Sequence, residues 1–86
     1  MGVTVSEKFV GKLVRFDQAG VGVVDVSGVD EYIYFTPRHI DGYIGQTIDE
    51  LQSPRYGNWV SGKTVIVSGE LADSGNVFVE SVTLKP

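Results

Sequence analysis

The sequence contains no cysteine, and it has only one histidine and three prolines among its 86 residues. The absence of cysteine excludes disulfides, thiolate zinc sites and thiol catalysis. No apolar run approaches the ~18 residues that a membrane-spanning helix needs, so no membrane partner is expected. The first residues lack a basic region followed by an apolar one. We therefore expect no signal peptide and predict a cytoplasmic location.

Motifs typical of enzymes are also missing. There is no phosphate-binding loop, no nucleophile elbow and no zinc-protease motif. Two pairs of adjacent carboxylates, Asp30 with Glu31 and Asp49 with Glu50, are better explained by solvation and helix capping than by acid–base or metal chemistry. His39 has no identifiable partner for a role as general base. The sequence thus predicts a protein that is not an enzyme and that has no cofactor and no metal site.

Positive charge is scarce, because seven Lys and Arg residues stand against eleven Asp and Glu residues, for a net charge of −4. Such a balance argues against a protein that coats nucleic acid through bulk charge. The charge is unevenly distributed, however. Residues 1–16 have a net charge of +2 and residues 17–31 a net charge of −4. A local binding face therefore remains compatible with the composition.

Valine, isoleucine, threonine and aromatic residues are plentiful, and turn signals recur at short intervals. This pattern is typical of an all-β sandwich or barrel. Five strands are predicted, over Phe9–Phe16, Val21–Val26, Tyr32–Thr36, Lys63–Leu71 and Val77–Leu84. Gly22, inside the second strand, indicates a bend of the barrel or the close approach of another backbone.

The long connection between the third and fourth strands breaks the β pattern. A capping box between Thr47 and Glu50 predicts a short helix over Ile48–Gln52. Ile44 and Leu51 are spaced for a contact like a hydrophobic staple. The remainder of the connection, including residues 54–59, is predicted to be loop.

Three strands, a helical connection and two more strands follow the order of an oligonucleotide-binding (OB) barrel. We predict one such five-stranded domain over residues 1–86, with the barrel at about 9–84. A five-stranded barrel of the SH3-like kind is the main structural alternative, although such barrels usually lack the capped helix.

The aromatic run Tyr32-Ile33-Tyr34-Phe35 suggests a binding surface. Successive side chains of a strand alternate between its two faces, so Tyr32 and Tyr34 share one face and Ile33 supplies the core. At ~3.3 Å per residue the two tyrosines stand about 7 Å apart, which suits the stacking of successive unpaired bases. The alternative is that they merely cover the barrel wall. Basic side chains on the adjoining strand, which could contact phosphates, favour binding.

Several motifs resemble a known family in order and spacing. The opening strand Gly-Lys-Leu-Val-Arg-Phe-Asp is similar to Gly-Lys-Val-Lys-Trp-Phe-Asn, and Tyr-Ile-Tyr-Phe-Thr to Phe-Val-His-Phe-Ser, both of the cold-shock domain family. The motifs that carry the resemblance are Gly11–Asp17, Ala19–Val24, Tyr32–Thr36, Gly62–Val65 and Val79–Thr83. The resemblance implies an OB barrel that binds single-stranded RNA or DNA on one face.

The chain departs from the family at positions that stack bases. Arg15 stands where the family has tryptophan, Val21 and Val23 where it has phenylalanine, and Ala19 where it has lysine. The sequence leaves open whether Arg55, Tyr56 and Trp59 replace the missing rings. For Trp59 we favour a loop anchor packed on the barrel end.

Two functions follow as hypotheses. The first is a single-stranded nucleic-acid-binding module. Its predicted face comprises Lys12, Arg15, Val21, Val23, Tyr32, Tyr34 and Phe35, with Arg38 and His39 at the edge. The alternative is a protein-interaction barrel that presents the valines and tyrosines as an apolar patch to a protein partner.

Overall fold

A computed structural model describes residues 7–85 as five antiparallel strands in a nearly closed barrel. The strands are β1 (Glu7–Phe16), β2 (Gly22–Val26), β3 (Ile33–Phe35), β4 (Thr64–Leu71) and β5 (Val77–Leu84), and one helix, α1 (Ile48–Leu51), lies between β3 and β4. The prediction of an all-β, OB-like barrel is confirmed. The first six residues, which bear most of the signal-peptide prediction, lie outside the described range.

Strand β1 is the middle strand of the five-stranded sheet. The strand order is β3-β2-β1-β4-β5, with the first half of β1 along β4 and its second half along β2. The barrel nearly closes between β3 and β5, by way of the segment that follows β3. There Ile40 forms a parallel bridge with Val82, and the amide of Asp41 donates to the carbonyl of Val82 at 3.0 Å.

Three aromatic rings fill one part of the core. Phe35 packs against Phe16 with ring centroids 5.7 Å apart, and Trp59 contacts both at 5.8 and 6.4 Å. Centroid separations in this range are favourable for aromatic pairs. Trp59 is thus buried and anchors its loop on the barrel, as the sequence analysis favoured.

The predicted capping box is present. The hydroxyl of Thr47 accepts from the amide of Glu50 at 3.2 Å, and the carboxylate of Glu50 accepts from the amide of Thr47 at 3.3 Å. Gln52, which caps the other end, donates through its side chain to the carbonyl of Phe16 at 2.9 Å and so ties α1 to the end of β1. The predicted staple is wrong, because Ile44 is 81% exposed.

Two 3-10 turns, Pro37–His39 and Pro54–Tyr56, occupy stretches that show no helical pattern in the sequence. The prediction of loop at residues 54–56 is therefore wrong. A single 3-10 turn is too short for hydrophobic periodicity to reveal it. Each turn begins with proline, whose fixed φ angle suits the first helical position.

Candidate nucleic-acid interface

A β-bulge in β1 determines which side chains reach the outer wall of the barrel. The pairing register with β2 shifts between Leu13 and Arg15. Leu13 and Phe16 are buried, whereas the two residues between them, Val14 and Arg15, are both exposed. Regular alternation would put Lys12 and Arg15, three residues apart, on opposite faces of the strand. The bulge instead places both on the outer face.

Arg15 and Tyr34 stand on either side of Val23. In the pairing registers Val23 lies opposite Arg15 of β1 and opposite Tyr34 of β3. Because neighbouring strands are ~4.8 Å apart, the backbone positions of Arg15 and Tyr34 are about 10 Å apart. Tyr34 is 58% exposed, whereas Val23 is only 3% exposed and forms the floor between them. A guanidinium and a phenol ring are thus presented together on one outer wall.

Tyr32 extends this wall immediately before β3. Ile33 and Phe35 are buried in the core, so the alternating Tyr34 points outward, and Tyr32 is 54% exposed. The predicted alternation of this aromatic run is confirmed. Phe35, however, does not belong to the outer face. It packs on Phe16 and Trp59, and including it among the surface residues was wrong.

The two valines of the predicted face also need correction. Val23 is buried, and Val21 is half-buried in the turn before β2. Val23 is buried because β2 lies between β1 and β3, and each of these strands carries a long side chain beside it, Arg15 on β1 and Tyr34 on β3. These valines therefore do not form the exposed apolar patch that was expected.

Lys12 lies in a different electrostatic setting from Arg15. It pairs with Asp25 of β2 on one side and with Thr64 of β4 on the other. A carboxylate directly across the strand reduces the positive potential that Lys12 offers to an anion. The open hollow at this point has a volume of about 440 Å³ and is lined by Val10, Gly11, Lys12, Asp25, Ser27 and Thr64.

The predicted edge residues lie on the 3-10 turn that follows β3. Arg38 is exposed there. His39 is half-buried, and its Nδ1 accepts from the backbone amide of Thr36 at 3.0 Å. His39 therefore caps the 3-10 turn. This turn packs against β5, whereas Arg15 lies on β1, on the other side of β3.

A groove that the sequence did not predict lies beside the tyrosines. It lies between β3 and the tip of the β4–β5 hairpin, and its volume is about 170 Å³. Its lining residues are Val29, Glu31, Tyr32, Ile33, Tyr34, Gly75, Asn76 and Val77. The predicted OB fold could have indicated this groove, because the loop between strands four and five borders the binding face of many OB barrels.

Trp59, in the long connection between β3 and β4, is buried and therefore adds no ring to this wall. Arg55 lies over the ring of Tyr56, 5.4 Å from its centroid, within the second 3-10 turn. This cation–π contact engages both side chains with each other. The turn that holds Tyr56 packs against α1, so its ring is not part of the wall, whose exposed rings are Tyr32 and Tyr34.

Within residues 7–85, no three side chains of histidine, aspartate or glutamate are grouped so that they could hold a metal ion. In the same part of the chain, no helix is long and apolar enough to cross a membrane.

Neither a protein-family model nor a curated protein matches the sequence.

Proposed function

We propose that the protein binds single-stranded RNA or DNA on the outer wall formed by β1, β2 and β3. The observation that carries this proposal is the placement of Arg15 and Tyr34 on either side of Val23, with Tyr32 next along the same wall. Flat rings and a guanidinium on one open surface are the groups that unpaired nucleotides engage.

Tyr32 and Tyr34 have the stacking role. Each is more than half exposed, so a base can lie on its ring without any rearrangement of the core. Stacking of a base on an aromatic side chain contributes about 1–3 kcal/mol, and it tolerates any base because every base has a π-face. Two such stacks give a modest affinity with weak sequence selectivity.

Arg15 and Lys12 have the phosphate-binding role. Arg15 faces the uncharged Val23, whereas Lys12 faces Asp25, so Arg15 is the stronger of the two anion-binding groups. With two phosphates neutralised, the logarithm of the binding constant should fall with the logarithm of the salt concentration with a slope of about −1.4. Stacking rather than bulk charge then supplies most of the affinity, in keeping with the net charge of −4.

Titration of the isotope-labelled protein with a short single-stranded oligonucleotide, followed by NMR, tests the proposal. We expect chemical-shift changes to cluster on Arg15, Val23, Tyr32 and Tyr34. The same sequence as a duplex should perturb these signals far less, because paired bases cannot stack on the rings. Absence of shifts at a large excess of single strand would contradict the proposal.

A specific observation favours a second function, the docking of a protein partner. Val10 and Val14 are both exposed on β1, so the outer wall has aliphatic as well as aromatic surface. Apolar side chains of this kind are common in protein–protein interfaces. Recovery of a defined partner in a pull-down that Val10→Ser abolishes, together with no response to oligonucleotides, would favour it. Both hypotheses keep the cytoplasmic location predicted from the sequence.

A further inference from the structure

We infer that the groove beside Tyr32 and Tyr34 selects a nucleobase whose Watson–Crick edge carries an amino group next to a ring nitrogen that accepts hydrogen bonds, the edge shared by cytosine and adenine. The inference rests on the proposed function, and it adds a base preference to a surface that would otherwise bind any single strand.

The groove is suited to one base and not to a phosphate. Its volume of about 170 Å³ is smaller than that of pockets for drug-sized ligands, which measure ~300–1,000 Å³. None of its eight lining residues is basic, and one of them, Glu31, is acidic. Carboxylates repel phosphate groups, so the sugar–phosphate backbone must lie elsewhere.

The cations of the outer wall occupy the other side of the tyrosines. Arg15 and Lys12 lie on β1, two strands from β3, whereas the groove lies between β3 and the β4–β5 hairpin. A strand bound across this wall therefore has its phosphates toward β1. A base stacked on Tyr32 or Tyr34 can then turn its edge toward the groove.

The polar groups in the groove have complementary hydrogen-bonding capacity. The carboxylate of Glu31 only accepts, whereas the side-chain amide of Asn76 both donates and accepts. An amino group can donate to Glu31 while the adjacent ring nitrogen accepts from Asn76. Uracil presents a carbonyl oxygen where cytosine has its amino group, and two acceptors repel each other. Cytosine is therefore preferred over uracil, although the two bases have nearly the same size.

Binding of short fluorescent oligodeoxycytidine and oligodeoxyuridine, measured side by side at neutral pH, tests this inference. We expect the wild-type protein to bind oligodeoxycytidine about tenfold more tightly, the effect of one hydrogen bond to a charged group. Glu31→Gln presents both a donor and an acceptor, so the preference should shrink to about twofold or less. Asn76→Ala should reduce it as well.

Glu7→Gln is the matched control, because it removes the same charge from an exposed position that does not line the groove. It should leave the preference unchanged. A wild-type preference for oligodeoxyuridine, equal binding of both oligomers, or an unchanged preference in Glu31→Gln would overturn the inference. If both oligomers bind equally and Tyr34→Ala weakens both, the base preference fails but the proposed function stands. If neither oligomer binds, both fail.

Discussion

Phe35 lies directly opposite Gly22 in the register of β2 and β3, and its ring covers the place where a side chain of residue 22 would stand. The ring reaches Phe16 and Trp59 only because residue 22 has no Cβ. With Phe35 held in the core, the alternation of β3 directs Tyr34 to the outer wall. A contact inside the barrel thus determines the surface outside it.

Gly22→Ala should destabilise the protein. The added methyl group overlaps the ring of Phe35, and overpacking of a dense core costs about 1–3 kcal/mol. Urea unfolding followed by circular dichroism would measure the change in the free energy of unfolding.

The double variant with Phe35→Leu provides the control for this prediction. Leucine lacks the outer ring atoms that the methyl group would meet, so Gly22→Ala should cost less in that background. The same cost in both backgrounds would show that the overlap with the ring is not the cause.

Tyr34→Ala should weaken the binding of a single-stranded oligonucleotide by about five- to 150-fold, which corresponds to the loss of one stacked base at 1–3 kcal/mol. Fluorescence anisotropy at constant ionic strength would measure the dissociation constant. Phe78→Ala removes a ring that is 65% exposed on β5 and that does not line the groove. Equal losses in the two variants would argue against specific stacking on Tyr34.

Arg15→Gln should reduce the salt dependence of binding. One phosphate contact on a single strand contributes about 0.7 to the slope of log K against log salt, so the slope should become shallower by that amount. Lys8→Gln removes the same charge from β1 at a position that faces Ser68 of β4. Titrations at several salt concentrations should show an unchanged slope for Lys8→Gln, and a similar change in both variants would mean that only net charge matters.

The fluorescence of Trp59, the sole tryptophan, should not respond to oligonucleotides. Its side chain is buried against Phe16 and Phe35, so a base bound on the outer wall cannot stack on it. The emission should shift to longer wavelength when urea exposes the indole. Strong quenching of the native protein by a bound oligonucleotide would place the ligand at Trp59 and contradict the proposed surface.

The local pattern of the sequence was sufficient to predict most of the architecture. The alternation in Tyr32–Phe35 specified which side chains of β3 are buried, and the pair Thr47 and Glu50 specified where α1 begins. These features depend on neighbours in the chain, because the repeat of a strand and the cap of a helix are set within a few residues. The five strands were predicted for the same reason.

The proposed binding surface depends on contacts between residues that are distant in the chain. Nothing in residues 12–16 indicates the bulge that turns Arg15 outward beside Lys12, because a bulge exists only in relation to the partner strand. Val23 is buried because Arg15 and Tyr34 flank it, and the groove at Glu31 and Asn76 exists because barrel closure brings two remote loops together. Strand alternation is a property of the chain, whereas register and closure arise only when the strands pair.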